Sequence, residues 1–309
     1  MEIRNIFKVS AITTALVLAG CGGDININEG DEVVTTPTTP TTPTTPTTPT
    51  TPDVDTPFSL GFATDVSSEF SGTITDKPVY RLDTDLTITQ DMTLTNDAHW
   101  IIKGRTAVGN DNADAAVLTI QEGTTVIGED GDDFLVVRRG SQIDASGTSS
   151  APIVMTSVQD VTGEETSIGQ WGGVVLLGNA PTNLCNTGDD ADTSDEELAN
   201  CGVSAEGDAG QFGGNMPEDN SGVLNYVIVK HAGRTLGNGD ELNGISFAGV
   251  GSGTEVDYIQ VHQNLDDGIE FFGGTVNVKH IVLTANGDDS FDWSFGWTGK
   301  AQYVLIKQD

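Results

Sequence analysis

Positive charge is what this sequence has least of. Thirteen lysines and arginines stand against 46 aspartates and glutamates in 309 residues, a net charge of −33 with histidine neutral. That balance excludes nucleic acid as a partner, and it excludes polyanions held by direct charge pairing; a bridging cation is the one remaining route to a polyanion. Cysteine is nearly absent, with only Cys21, Cys185 and Cys201. The four histidines, His99, His231, His262 and His280, are scattered, so zinc-ligand spacing is missing. The apolar stretch from Ile12 to Leu18 is too short to span a bilayer. Preceded by Arg4 and Lys8 and followed by Ala19 and Gly20, it has the charged start, short apolar centre and small residues of a secretory signal over residues 1–20.

Cys21, directly after Leu18-Ala19-Gly20, resembles the lipidated cysteine of the bacterial lipoprotein lipobox. That resemblance implies removal of residues 1–20, diacylation of Cys21, and the membrane as a partner through the lipid. Gly22 in place of Asp implies outer-membrane retention, and a surface-exposed, lipid-anchored protein is the expected location. Residues 21–57 read as a stalk. Six Thr-Thr-Pro triplets fill Thr35 to Pro52, and eighteen residues of extended polyproline II at 3.1 Å each reach roughly 55 Å. In an exported chain the remaining pair, Cys185 and Cys201, is expected to form a disulfide closing a surface loop. The acidic run Asp189 to Glu197 within that loop lacks the spacing of an EF-hand and reads as a solvated insertion.

Modest apolar content could suggest disorder, yet short β-branched and aromatic runs recur at a fixed interval. Asn243-Gly244-Ile245-Ser246-Phe247, Asp267-Gly268-Ile269-Glu270-Phe271 and Asp289-Ser290-Phe291-Asp292-Trp293 follow one another at 24 and 22 residues. Tyr226, Tyr258, His280 and Tyr303 each open a second kind of strand, interleaved with the first. A period of 20 to 25 residues with two or three short strands and no helical pattern predicts a solenoid, each coil one rung. Such strands cannot bury an apolar face alone, but stacked about 4.8 Å apart they share one core. Links such as Phe272-Gly273-Gly274-Thr275 and Gly249-Val250-Gly251 would supply positive φ at the corners.

Gly169-Gln170-Trp171-Gly172-Gly173-Val174-Val175-Leu176-Leu177, Asn220-Ser221-Gly222-Val223-Leu224-Asn225-Tyr226 and Gly249-Val250-Gly251-Ser252-Gly253-Thr254 resemble a family of exported bacterial repeat lipoproteins. These have a right-handed parallel β-helix of the pectin-lyase-like superfold and mostly no assigned activity. The fold class expected is therefore all-β, a right-handed parallel β-helix over residues 117–309, with residues 58–116 as N-terminal cap and first strands. Tyr303-Val304-Leu305-Ile306 reads as a core strand only three residues from the last residue. The expectation is a sequence truncated at its C-terminus, the alternative a last rung that pairs with another chain.

Carboxylates are the only candidates for chemistry. The repeat stacks Asp267 near Asp289 and Glu270 near Asp292, and in Ile269-Glu270-Phe271 the apolar residues point inward, so Glu270 points out. Adjacent rungs would hold such acids about 5 Å apart, near the separation that retaining glycosidases use. Asp267, Glu270, Asp289 and Asp292 are thus the candidate catalytic residues, and Asp266, Asp267, Asp288 and Asp289 the candidate calcium ligands. Polygalacturonases of this superfold carry paired aspartates resembling Asp266-Asp267, but their Gly-His-Gly and Arg-Ile-Lys motifs are missing here. Lys230, Arg234 and Lys279 are the cations nearest these rungs, and Arg138-Arg139 is expected to neutralise Glu129, Asp130, Asp132 and Asp133. Among aromatics, Phe271, Phe291 and Trp293 match the inward column, leaving Trp297 as the candidate surface ring for stacking on a sugar. These features favour a non-catalytic adhesive or glycan-binding surface module with a polysaccharide or cell-surface partner. The alternatives are a polysaccharide lyase or glycoside hydrolase using the stacked acids, and a scaffold of an envelope assembly.

Overall fold

Successive strands alternate between two sheets, so each turn of the chain lays one rung on the last. A computed structural model describes residues 54–185, 194–237 and 240–308; they belong to one compact unit. The signal, Cys21, the Thr-Pro stalk and most of the run from Asp189 to Glu197 lie outside the described residues. The seven-stranded sheet stacks Thr87–Ile88, Arg105–Val108, Phe134–Val137, Gly173–Leu177, Ile245–Ala248, Ile269–Phe272 and Phe291–Ser294, all parallel. The twelve-stranded sheet is parallel except at its start, where Ala63–Asp65 pairs antiparallel with Val79–Leu82. This is an all-β solenoid, a parallel β-helix. Its ladders already include strands between residues 79 and 108.

Register explains the core. Leu135, Val174, Ile245, Ile269 and Phe291 form one column and Val137, Leu176, Phe247, Phe271 and Trp293 the next, both turned inward. Phe247 and Phe271 are fully buried and stack with ring centroids 5.3 Å apart. At the last rung the same column emerges from cover. Trp293, expected in the core, is 60% exposed, and Tyr303 in the strand Ala301–Lys307 is 62% exposed. That strand pairs with Asn277–Thr284, and among the described residues no further strand lies on it or on Phe291–Ser294.

The second sheet turns its corner without glycine. Early coils use two separate strands, Gln142–Ser146 and Ile153–Ser157, which pair with the two halves of the single strand Gly222–Lys230. The break between the halves falls at Tyr226, and the later rungs break at Tyr258, His280 and Tyr303, all with φ between 50° and 60°. A left-handed conformation costs a non-glycine residue about 1–2 kcal/mol. The four rings stack face to face along the solenoid, 4.3, 4.4 and 4.7 Å apart. At about 0.5–1.5 kcal/mol per pair, that stack offsets much of the strain. The glycine corners expected from sequence are present on the other edge, at Gly249, Gly273 and Gly274.

The outward face of the seven-stranded sheet is apolar too, which is why Val174-Val175-Leu176-Leu177 is a continuous apolar run. Val136, Val175, Leu177, Ala248 and Phe272 point out and are covered by Leu184, Val203, Ala205, Ala209 and Phe212. These belong to the long connection between Gly173–Leu177 and Gly222–Lys230. Cys185 and Cys201 are joined in a disulfide in that connection, Cα to Cα 5.7 Å, and Arg139 holds it down by donating to the carbonyls of Cys201 and Gly213.

Candidate functional site

One outward column changes character along the solenoid. It runs Ala107, Val136, Val175, then Ser246, Glu270, Asp292, each paired with the next in register. Apolar residues lie where the connection packs tightly, and acids follow where the rungs pass its edge. The stacking of Glu270 on Asp292 foreseen from the repeat is present. Asp267, buried in the turn before Ile269–Phe272, joins them, and oxygens of Asp267, Glu270 and Asp292 lie within 4.8 Å of one another. A second group, Asp266, Asp267 and Asp288, has the same closeness. Asp289 is in neither group. Its main chain works instead, its N–H donating to Asp267 Oδ1 at 2.9 Å and its carbonyl accepting from Gly268.

Buried asparagine orients the cluster. Asn243 sits one rung before Asp267 in the repeat. Its Nδ2 donates to Glu270 Oε2 at 2.9 Å and to Ser246 Oγ at 3.2 Å, and its Oδ1 accepts from the Asp267 N–H at 3.2 Å. Asn264 Nδ2 closes the turn onto the Asp267 carbonyl at 2.7 Å. The connection adds an acid that sequence reasoning missed, Glu206, whose charge acts on Glu270 and is acted on by Asp240, Asp266, Glu241 and Asp267. No repeat contains it, and it lies 60 residues before the cluster, so only the folded connection brings it there.

These carboxylates hold their protons unusually well. Burial, followed by the negative charge of Asp267, Glu206 and Asp292, pushes Glu270 up to about 8 against the opposing hydrogen bond from Asn243. Asp267 is pushed up to about 7 by burial and by Asp266, and Asp266 itself to about 6. Burial and its acidic neighbours push Glu206 up to about 7. The cations foreseen near these rungs are engaged elsewhere: Lys230 with Asp160, Arg234 with Asp132 at 3.5 Å and Lys279 with Asp257 at 3.2 Å. Arg138 and Arg139 do not neutralise the acids after Gly128 as expected. Arg139 pairs with Asp111 and Arg138 donates to the Ala209 carbonyl, while Arg81 and Lys103 take Glu129, and Lys103 also lies by Asp130 and Asp133.

Trp297, expected as the free surface ring, lies against the core. It stacks on Phe271 at 4.4 Å and its Nε1 donates to the Val276 carbonyl at 3.1 Å. The turn after Ser294 carries it back onto Phe271, and the tryptophan left exposed is Trp293. Trp171 is fully buried, its Nε1 donating to the Lys230 carbonyl.

Stacked inward columns and parallel ladders define a parallel β-helix with acids on its outward face. The chain belongs to the family described as pectate-lyase like beta helix domain, whose family model matches residues 86–309. No curated protein and no solved structure matches it.

Proposed function

We propose that the protein is a non-catalytic polysaccharide-binding module, tethered to the outer membrane by a lipid on Cys21, that engages acidic glycans through calcium held by Asp267, Glu270 and Asp292. The observation carrying this reading is the convergence of three carboxylates within 4.8 Å under a field that raises Asp267 and Glu270 to about 7 and 8. The donors are all oxygen, the set that calcium prefers, and a dication is the compensating charge such a group lacks. Asp266 and Asp288 extend the acidic patch along the rung. A bound dication supplies a local positive charge on a protein whose net charge of −33 would otherwise repel a uronic-acid polymer. Catalysis by β-elimination needs a base with a cationic partner, and the neighbouring lysines and arginine are paired to other acids. Retention of the protein on polygalacturonate beads with calcium, and its release by chelator, is the test; equal retention in chelator overturns the role of the ion.

A second reading rests on one specific feature. Glu270 holds a proton near neutral pH beside the stacked Asp292, the arrangement of an acid and a base in glycoside hydrolysis. It predicts new reducing ends from a polysaccharide panel, lost in Glu270→Gln.

A further inference from the structure

Between the covering connection and the seven-stranded sheet lies a cavity of about 220 Å3. Its floor is the outward face of the sheet at Val175, Ala248 and Phe272, and its roof is Leu184, Val203 and Phe212 of the connection. The disulfide between Cys185 and Cys201 sits within two residues of the roof residues Leu184 and Val203 and ties that wall together. Three polar side chains interrupt the lining, Ser204, Ser246 and Glu206, and Ser246 already accepts from Asn243. A sugar, whose hydroxyls each need a partner, would leave most of them unsatisfied against these walls. An apolar body of about seven water volumes fits, at about 30 Å3 each.

The polar end of such a ligand is decided by the charges around Glu206. Asp240, Asp266, Glu241 and Asp267 act most on it, and Glu270 interacts with it too, all acidic. An anionic head would be repelled by Glu206 and these acids, and a neutral head would gain nothing from the field. We propose that this cavity binds a small amphipathic cation, an aryl or alkyl primary amine whose apolar body lies between Phe272, Val175 and Phe212 and whose ammonium meets Glu206. None of Asp267, Glu270 and Asp292 lines the cavity, although Glu206 and Ser246 adjoin them, so an amine would be held by groups of its own whether or not the protein binds glycans.

Calorimetric titration of the protein in chelator, with 2-phenylethylamine, 2-phenylethanol and 3-phenylpropanoate as three probes of one shape, tests this. The amine is expected to bind about tenfold or more tighter than the alcohol, and the propanoate not at all. Glu206→Gln should weaken the amine and narrow its advantage over the alcohol while leaving the alcohol unchanged, and Ala248→Trp, which fills the floor, should abolish both. Equal binding of amine and alcohol, amine binding indifferent to Glu206→Gln, or no binding of the amine to the unaltered protein would each overturn the proposal. If Ala248→Trp does not fold, the response to Glu206→Gln decides alone. Calcium-dependent retention on polygalacturonate, measured on the same samples, separates failure here from failure of the glycan reading.

Discussion

Replacing Glu270 by Gln should stabilise the protein in chelator and destabilise it in calcium. Glu270 rises from its ordinary 4.5 to about 8 because burial and neighbouring carboxylates penalise its charge. A carboxyl raised in the fold contributes stability that is fully present below its unfolded value and is lost as pH climbs through its folded value. Between about pH 4.5 and 8 the unfolded chain ionises this group while the folded chain resists, so the wild type weakens steadily across that window. At 1.36 kcal/mol for each tenfold change in proton affinity, the ceiling is about 5 kcal/mol. Glu270 is partly solvated and coupled to Asp267, and water screens part of that cost, leaving about 1–3 kcal/mol. For a domain of this size the gain in Tm is roughly 2–4 °C per kcal/mol. Thermal unfolding followed by circular dichroism should therefore show Glu270→Gln melting higher than wild type by about 2–12 °C near pH 8.5 in chelator. The two should coincide near pH 4, where both states are protonated. Saturating calcium should reverse the order near neutral pH, because the wild type gains a bound ion and the variant loses a ligand. A variant that melts below wild type in chelator at high pH would refute the buried-charge argument outright.

Three further outcomes follow from the packing. Phe271→Ala removes a ring that stacks on Phe247 and Trp297 and lies tilted against Phe291, and should cost about 3–5 kcal/mol in denaturant unfolding; a loss below about 1 kcal/mol would show that the column collapses onto the cavity. Paired Cys185→Ser and Cys201→Ser opens a link between residues 16 apart in sequence and should cost about 3 kcal/mol, read as an earlier unfolding midpoint. At Tyr258, in the left-handed region, alanine should be worse than glycine by about 1–2 kcal/mol, although glycine is the poorer strand former elsewhere; the reverse order would mean the positive φ is not maintained.

The rungs were legible because a solenoid converts sequence period into spatial register. Aligning Ile245-Ser246-Phe247 with Ile269-Glu270-Phe271 and Phe291-Asp292-Trp293 already placed Glu270 on Asp292 and turned both outward, and the ladder has that register. Tyr226, Tyr258, His280 and Tyr303 also aligned, but a list of strand starts does not show that the backbone turns left-handed there and lays the rings on one another. What lay outside the repeat was not legible. Glu206 reaches the acids only because the connection folds over the sheet, and Trp297 lies against the core because the turn after Ser294 bends it back onto Phe271. The partners of Arg138 and Arg139 were misjudged from nearness in sequence; in a β-helix the neighbours are a rung away, at Asp111 and beneath the connection at Ala209.

The central claim is that the carboxylates of Asp267, Glu270 and Asp292 form one dication site that carries glycan binding. Calorimetric titration of calcium near neutral pH, repeated in two buffers of different ionisation enthalpy, tests it most directly. The account predicts saturable binding with net proton release, since Asp267 and Glu270 surrender protons held at about 7 and 8, and loss of both binding and release in Glu270→Gln. Binding with no proton release, or binding unchanged in Glu270→Gln, would contradict it.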